Sequence, residues 1–329
     1  MPSRSRFPTW AIVLGAAAAI AVAVARVVAS AREGDELRAP DEQDVAELAG
    51  VPYTPDTTDV ATLRPFAIAD TMFGRSGKVR FRTLTRASAV ALPGFIATFG
   101  EDAVRAPDVH QVAANATKTP FALIVLRPFG EKRGESLQGY RLGRWPSERW
   151  MMGRKYFSPD GFIEVTPANA GLPLSDHFVL AEFLTHDQRA VWPKYIVLQE
   201  PLIDKLELVL ADLAAHGVAT DRVRVLSGFR APYYNDRIVA EGAARASRHQ
   251  YGDAADVIID ANGDGRMDDL NHDGRLDLGD TQLILRAVER VEKRYPELVG
   301  GLGLYHAMGA AGPFAHIDVR GTSARWSRE

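Results

Sequence analysis

The sequence predicts an α+β protein. A C-terminal domain, with a small antiparallel sheet flanked by helices, is preceded by a β-rich domain and an N-terminal apolar helix. Three observations carry this expectation. Apolar residues recur at helical spacing in IVLQEPLIDKLELVLADLAAHG and TQLILRAVERVEKRY; β-type runs bounded by Gly, Pro and Asn fill the middle of the chain; and WAIVLGAAAAIAVAVA, Trp10 to Ala25, is apolar on every face.

Taken in order, Arg4 and Arg6 precede the apolar run and Ala29-Ser30-Ala31 follows it as a small-residue cleavage site, while residues 10–31 are long enough to span a bilayer. Residues 1–31 are therefore expected to be a signal peptide or a membrane anchor, and the chain is expected to be exported. Residues 32–64 are acidic and rich in turn formers, as in a linker. Residues 65–170 hold the strand-like runs KVRFRTL, FALIVL, GYRLGRW and GFIEV, with no catalytic constellation among them.

Residues 171–329 form the second domain. Ser175 or Asp176 is placed to cap a helix beginning near Phe178, and the run from Ile196 predicts a helix of four to five turns that stops at Gly217. RVRVLSGFR then reads as a strand, YNDRIVAEGAA as a helix and AADVIID as a strand. A last helix places Leu283, Ile284, Ala287, Val288 and Val291 on one face, and GGLGLYH and PFAHIDVRG are two closing strands.

Composition narrows the chemistry. A net charge of −3 offers no broad basic surface, so nucleic acid is not an expected partner. With 0 cysteines, disulfides, Cys-ligated zinc, iron–sulfur clusters and a thiol nucleophile are all excluded. Any metal site must use His and carboxylates. His249 and Asp256 stand in SRHQYGDAAD, where a turn leads into a strand, and His316 lies in the apolar strand FAHIDV. Two imidazoles and a carboxylate suffice for tetrahedral Zn2+ with a fourth position open to water. On spacing alone, ordinary polar roles in the core and loops are the commoner reading for all three.

The ordered motifs SGFRAPYYN, SRHQYGDAADV and GGLGLYH…FAHIDVR resemble the zinc D-Ala-D-Ala carboxypeptidase and murein endopeptidase family, relatives of the hedgehog signalling domain and of lysostaphin-type peptidases. The resemblance runs from Leu174 to Trp326. It implies His249, Asp256 and His316 as zinc ligands, Arg230 as a donor to the substrate's peptide carboxylate, and Ser247 as a residue beside the metal. In one respect the chain departs from the family. The carboxylate that many members place three residues before the last ligand is replaced by Pro313, and a His two residues before it by Phe314. That leaves the general base unassigned among Asp318, His306 and Asp253; alternation places Asp318 on the face of His316, where orienting that imidazole is favoured over activating water, because metal-bound imidazoles commonly need such a partner.

DANGDGRMDDLNHDGRLDLGD carries a second cation motif. Asp260, Asn262, Asp264, Gly265 and Asp268 recur at a step of nine as Asp269, Asn271, Asp273, Gly274 and Asp277, with Asp280 following. Oxygen ligands at positions 1, 3, 5 and 9 and glycine at position 6 suit Ca2+; a solvated acidic loop is the alternative. The overlapping copies are similar to dockerin and thrombospondin type 3 repeats. They form an insertion at residues 260–280, expected to be held by calcium as a structural clasp.

Together these expectations describe a periplasmic or otherwise extracytoplasmic zinc peptidase of peptidoglycan, of D,D-carboxypeptidase or endopeptidase type, anchored in the inner membrane if residues 10–31 are retained. The alternative is a non-catalytic cell-wall-binding or scaffold protein that retains the metal site.

Overall fold

The computed structural model describes residues 62–114, 119–149, 157–306 and 311–328. The apolar segment 10–31 and nearly all of the expected linker lie outside the described residues. Among the described residues no helix is long and apolar enough to cross a membrane. Six α-helices and four small sheets make up the described residues, in agreement with the α+β expectation.

The first sheet contains β1 (Arg64–Phe66), β2 (Phe81–Leu84), β3 (Asp108–Ala114) and β4 (Thr119–Val125) in the order β1-β3-β4-β2. Three short helices, α1 (Arg86–Ala91), α2 (Phe95–Phe99) and α3 (Asp102–Arg105), lie between β2 and β3 in sequence. Strand β4 reads as continuously apolar because both its faces are covered. Phe121, Leu123 and Val125 enter a small core with Phe66, Phe95 and Val104, whereas Ala122 and Ile124 enter the main core.

The middle of the chain forms β5 (Arg127–Pro128), the hairpin β6 (Ser136–Leu137) and β7 (Tyr140–Arg141), β8 (Gly161–Val165) and β9 (Lys194–Ile196). Strands β5, β8 and β9 make an antiparallel sheet. Of the expected strand GYRLGRW only Tyr140–Arg141 pairs, because the N–H groups of Leu142 and Gly143 both donate to the Glu135 carbonyl and close a loop instead. The helix expected near Phe178 is a single 3-10 turn, Leu180–Phe183. The N–H groups of Leu180 and Ala181 donate to the carbonyls of Leu172 and Ala170, and the Glu182 carboxylate takes the N–H of Val179. The N–H groups of Glu182 and Leu184 return to the carbonyls three residues back, Val179 and Ala181, so the turn closes as 3-10 and does not continue.

The remaining elements carry the site: α4 (Glu200–Ala215), β10 (Val223–Ser227), α5 (Pro232–Ile238), β11 (Ala254–Ile259), α6 (Leu278–Arg294), β12 (Gly301–Tyr305), β13 (Phe314–Asp318) and β14 (Ala324–Arg328). Helix α4 begins at Glu200 rather than at Ile196, since Lys194–Ile196 pair with β8; Pro201 then sits in its first turn, where a missing N–H costs nothing. The sheet order is β10-β11-β13-β12-β14, antiparallel except for β14, which runs parallel to β12 at the edge. The polar strand ARWSR was not expected from the sequence.

Helices α4 and α6 pack on each other, and α6 lies against β12 and β13. Leu302, Leu304, Ala315 and Ile317 point into the main core, so the pleat sends Gly303 and His316 to the opposite face. The main core is continuous across residues 170 and 171, from Val79 to Ile317. Beneath the sheet, Lys205 of α4 is fully buried; its Nζ donates to Glu292 Oε1 at 2.7 Å and to the Asp318 carbonyl at 2.8 Å. Glu292 in turn accepts from the Gly300 N–H at 3.0 Å and pairs with Arg325. A lysine so buried is tolerable only because it is paired and hydrogen-bonded.

Candidate metal centre

His249 lies in the 3-10 turn Arg248–Tyr251, Asp256 in the middle of β11 and His316 in the middle of β13, where Asp256 and His316 are directly paired. Paired residues share a face, so sheet register alone brings two of the three side chains together. The turn, opened by the Ser247 carbonyl accepting the N–H of Gln250, delivers the third. Their exposures are 1%, 4% and 7%.

Three atoms converge. His249 Nε2 is 3.2 Å from Asp256 Oδ1 and 3.1 Å from His316 Nδ1, and His316 Nδ1 is 2.9 Å from Asp256 Oδ1. Zinc bonds of about 2.0–2.1 Å in tetrahedral geometry put neighbouring ligand atoms about 3.3 Å apart, close to these separations. The outer atoms fix the protonation of each group. His249 Nδ1 is 2.7 Å from the Gly228 carbonyl, which can only accept, so the proton is on Nδ1 and Nε2 turns a lone pair inward. His316 Nε2 is 3.1 Å from Asp318 Oδ2, which by the same reasoning leaves Nδ1 as the lone pair. Arg230 donates to Asp256 Oδ2 and, through Nε, to Ser227 Oγ at 2.7 Å.

Lone pairs from two imidazoles and a carboxylate therefore meet at one point, which is favourable only around a cation or a shared proton. Burial, reinforced by Arg230, pushes His249 down to about 4, so its imidazole is neutral. Burial acts downward on His316 too, but the carboxylates of Asp256 and Asp318, one at each ring nitrogen, outweigh it and raise that histidine, so the inner position at Nδ1 is one that a cation or a proton shared with Asp256 fills. Burial opposes ionisation of Asp256, yet His249 and Arg230 hold it well below the usual carboxylate range. Among the described residues, His249, Asp256 and His316 are the one group of three His or carboxylate side chains whose ligand atoms all lie within 4.8 Å of each other.

The other expected site residues fall into place unequally. Arg230 is buried and holds Asp256 from behind. Asp318 is fully buried and shared among His316, Arg320 and the Gly301 N–H, the last at 2.6 Å. Asp253 is paired with Arg248, and burial raises it despite that pairing. His306 is exposed at the end of β12, three residues past Gly303, the residue opposite His316.

Three residues of this face were not singled out from the sequence. Trp326 of β14 lies across Gly303 with its ring 5.3 Å from that of His316, and its indole N–H donates to Tyr305 Oη at 2.8 Å. A Cβ on Gly303 would stand 2.3 Å from Trp326 Nε1, so glycine there makes room for the indole. The available signal was the alternation Gly303, Tyr305 opposite His316, Phe314, which needed the register to be read.

The repeat folds as two successive loops. Gly265 and Gly274 take positive φ of 85° and 81°, the conformation position 6 requires. In the first loop the Gly265 N–H donates to Asp260 Oδ2 at 3.1 Å, Asn262 Oδ1 accepts from Asp264 N, and Asp268 accepts from Ala261 N and Asn262 Nδ2. Burial, then the carboxylates of Asp260 and Asp264, push Asp268 up. In the second, Asp269 accepts from Asp273 N and Gly274 N, and Asn271 from Asp273 N. Asp277 and Asp280 cap α6 reciprocally, and buried Asp280 also accepts from Leu270 N at 2.8 Å.

Set against protein-family models, curated proteins and solved structures, the chain matches none.

Proposed function

We propose that this protein is an exported zinc metallopeptidase that hydrolyses amide bonds in peptidoglycan stem peptides or cross-links, of D,D-carboxypeptidase or endopeptidase type, and that calcium stabilises its residue 260–280 insertion. The observation that carries the reading is the meeting of three lone pairs within 3.2 Å, each ligand fixed from behind by its own partner. The ordered motifs around them resemble those of zinc peptidases of the cell wall. Two imidazoles and one carboxylate with an open position are a donor set that zinc accepts in catalytic sites; when bound it would supply Lewis acidity toward an amide carbonyl and activate water.

The chain's own groups then have distinct tasks. Gly228 and Asp318 set the tautomers of the two histidines, and Arg230 holds Asp256 and is also the donor for a substrate carboxylate. Ser247 starts the turn that presents His249. His306, exposed at the rim, is the remaining acid–base group, because Asp318 and Asp253 are each committed to an arginine. Residues 10–31 place the catalytic part outside the cytoplasm and, if retained, at the inner membrane.

That commitment of both carboxylates, with Pro313 where many of the similar peptidases carry a base, favours a second reading: a cell-wall-binding or scaffold protein that keeps the metal site without catalysis. Metal analysis of protein purified without chelator, followed by digestion of muropeptides, separates the two. One zinc and cleavage abolished in His249→Ala is the result expected of the peptidase; one zinc with no cleavage by either protein is the result of the scaffold. Protein without zinc overturns both.

A further inference from the structure

Tyr305 stands in the row of side chains next to His316. It is the last residue of β12 and pairs with Phe314, while Gly303, two residues earlier on the same face, pairs with His316. The Tyr305 ring lies flat on Phe314, with centroids 4.7 Å apart and planes 2° from parallel. A Cβ on Gly303 would come within 2.3 Å of Trp326 Nε1, so that N–H sits over the residue paired with His316, and Tyr305 Oη is 2.8 Å from it. The phenol is therefore held at two points beside the metal centre, its ring by Phe314 and its oxygen by the indole.

Its hydrogen bonding is half used. An indole N–H only donates, so Tyr305 Oη accepts from Trp326 and keeps its own O–H to give. Among the described residues nothing accepts that O–H, and the side chain is only half-buried. Burial pushes the hydroxyl up against the pull of the Trp326 N–H, and the Asp256 carboxylate adds to the rise, so the group stays protonated. The cations around the centre are already engaged: Arg230 with Asp256, Arg320 with Asp318 and Arg248 with Asp253. Phe314, standing where some of the similar peptidases carry a His, adds no polar atom to the row.

We propose that Tyr305 is a catalytic residue: its O–H donates to the carbonyl oxygen of the amide being cleaved, and the bond strengthens as the carbonyl carbon is attacked and that oxygen gains negative charge. Tyr305 keeps its proton throughout, so no bond of the phenol forms or breaks. The proposal rests on the peptidase reading above. A donor fixed before the substrate arrives has no reorganisation to undergo during reaction, which is why one such hydrogen bond is worth about 100–1,000-fold in turnover.

Full-length wild type is compared with Tyr305→Phe, which keeps the stacking on Phe314 and removes only the hydroxyl, and with Trp326→Phe, which keeps the hydroxyl and removes the N–H that holds it. Zinc content and urea midpoint are measured first, then muropeptide turnover, then calorimetry with a phosphinate analogue of the cleaved dipeptide, whose anionic oxygens imitate the charged carbonyl oxygen. Tyr305→Phe should carry the wild-type zinc content, turn over about 100–1,000-fold more slowly at a little-changed KM, and bind the phosphinate more weakly by a similar factor. Trp326→Phe should lose less. Equal turnover by wild type and Tyr305→Phe, or an unchanged phosphinate affinity, overturns the role of Tyr305 and leaves the peptidase reading standing. Zinc lost from Tyr305→Phe, or a loss of turnover as large in Trp326→Phe, assigns the effect to support of the site and overturns it too. Zinc-loaded wild type that cleaves nothing overturns the peptidase reading and takes this proposal with it.

Discussion

Asp318 holds His316 from behind: its Oδ2 stands 3.1 Å from Nε2, two residues along the same strand, and leaves Nδ1 facing His249 and Asp256. The carboxylate is itself fixed by Arg320 and by the Gly301 N–H. Its place is therefore to orient the imidazole, and Asp318→Ala is expected to weaken zinc binding by about 10–100-fold while far-ultraviolet circular dichroism stays unchanged. A chelator-competition titration reads this directly; unaltered zinc affinity would show that the contact does not orient the ligand.

Gly303 gives the second prediction. An added methyl would meet Trp326 at 2.3 Å, and the indole cannot retreat without losing its bond to Tyr305. Gly303→Ala should cost about 1–3 kcal/mol of unfolding free energy in urea, as overpacking usually does. Tryptophan emission should shift as Trp326 moves off His316. A Gly303→Ala protein with wild-type midpoint and emission would mean that the edge strand is not held as described.

Lys205 bridges Glu292 and the Asp318 carbonyl in full burial. Lys205→Met leaves a buried carboxylate with only Arg325 as its cationic partner, at a cost of about 3 kcal/mol. The double variant Lys205→Met/Glu292→Met should recover part of that loss. Denaturant midpoints of the two single variants and the double variant complete the cycle, and strict additivity would argue that the pair is not coupled.

Lys194 is buried beneath Tyr140 and Trp192 and donates to the Gln188 carbonyl at 2.6 Å. Burial, only partly offset by Asp187, pulls its amine down from 10.5 to about 8. A lysine depressed in the folded state is more protonated when unfolded, so between those two pH values the unfolded chain binds more protons and stability rises with pH. Relative to Lys194→Met, wild type should gain at most about 3 kcal/mol from pH 8 to 10.5. Comparing the two proteins cancels the tyrosine ionisations that begin at the upper end. An identical pH dependence in both would contradict an amine pulled down by burial.

The long helices and inner strands were legible because periodicity reports burial: α6 runs almost as its apolar stripe predicts, and AADVIID and PFAHIDV become β11 and β13. The histidines and Asp256 were legible as residue types in ordered motifs; that they meet depends on a pairing between β11 and β13 separated by the whole insertion and α6, which no local pattern encodes. The short 3-10 turn near Phe178 and the loop after Arg141 were misread because backbone donors there are captured by distant carbonyls. Strand β14 was missed for a different reason. An edge strand with exposed Arg325, Ser327 and Arg328 shows no apolar alternation, so nothing in its composition announces that it brings Trp326 to His316.

Strand β4 serves two cores at once, alternate side chains entering each. Neither core can be opened without stripping one wall from the other, so the heat-absorption profile of residues 62–328 should be a single peak, and no solution condition should melt the β-rich layer ahead of the sheet that carries Asp256 and His316.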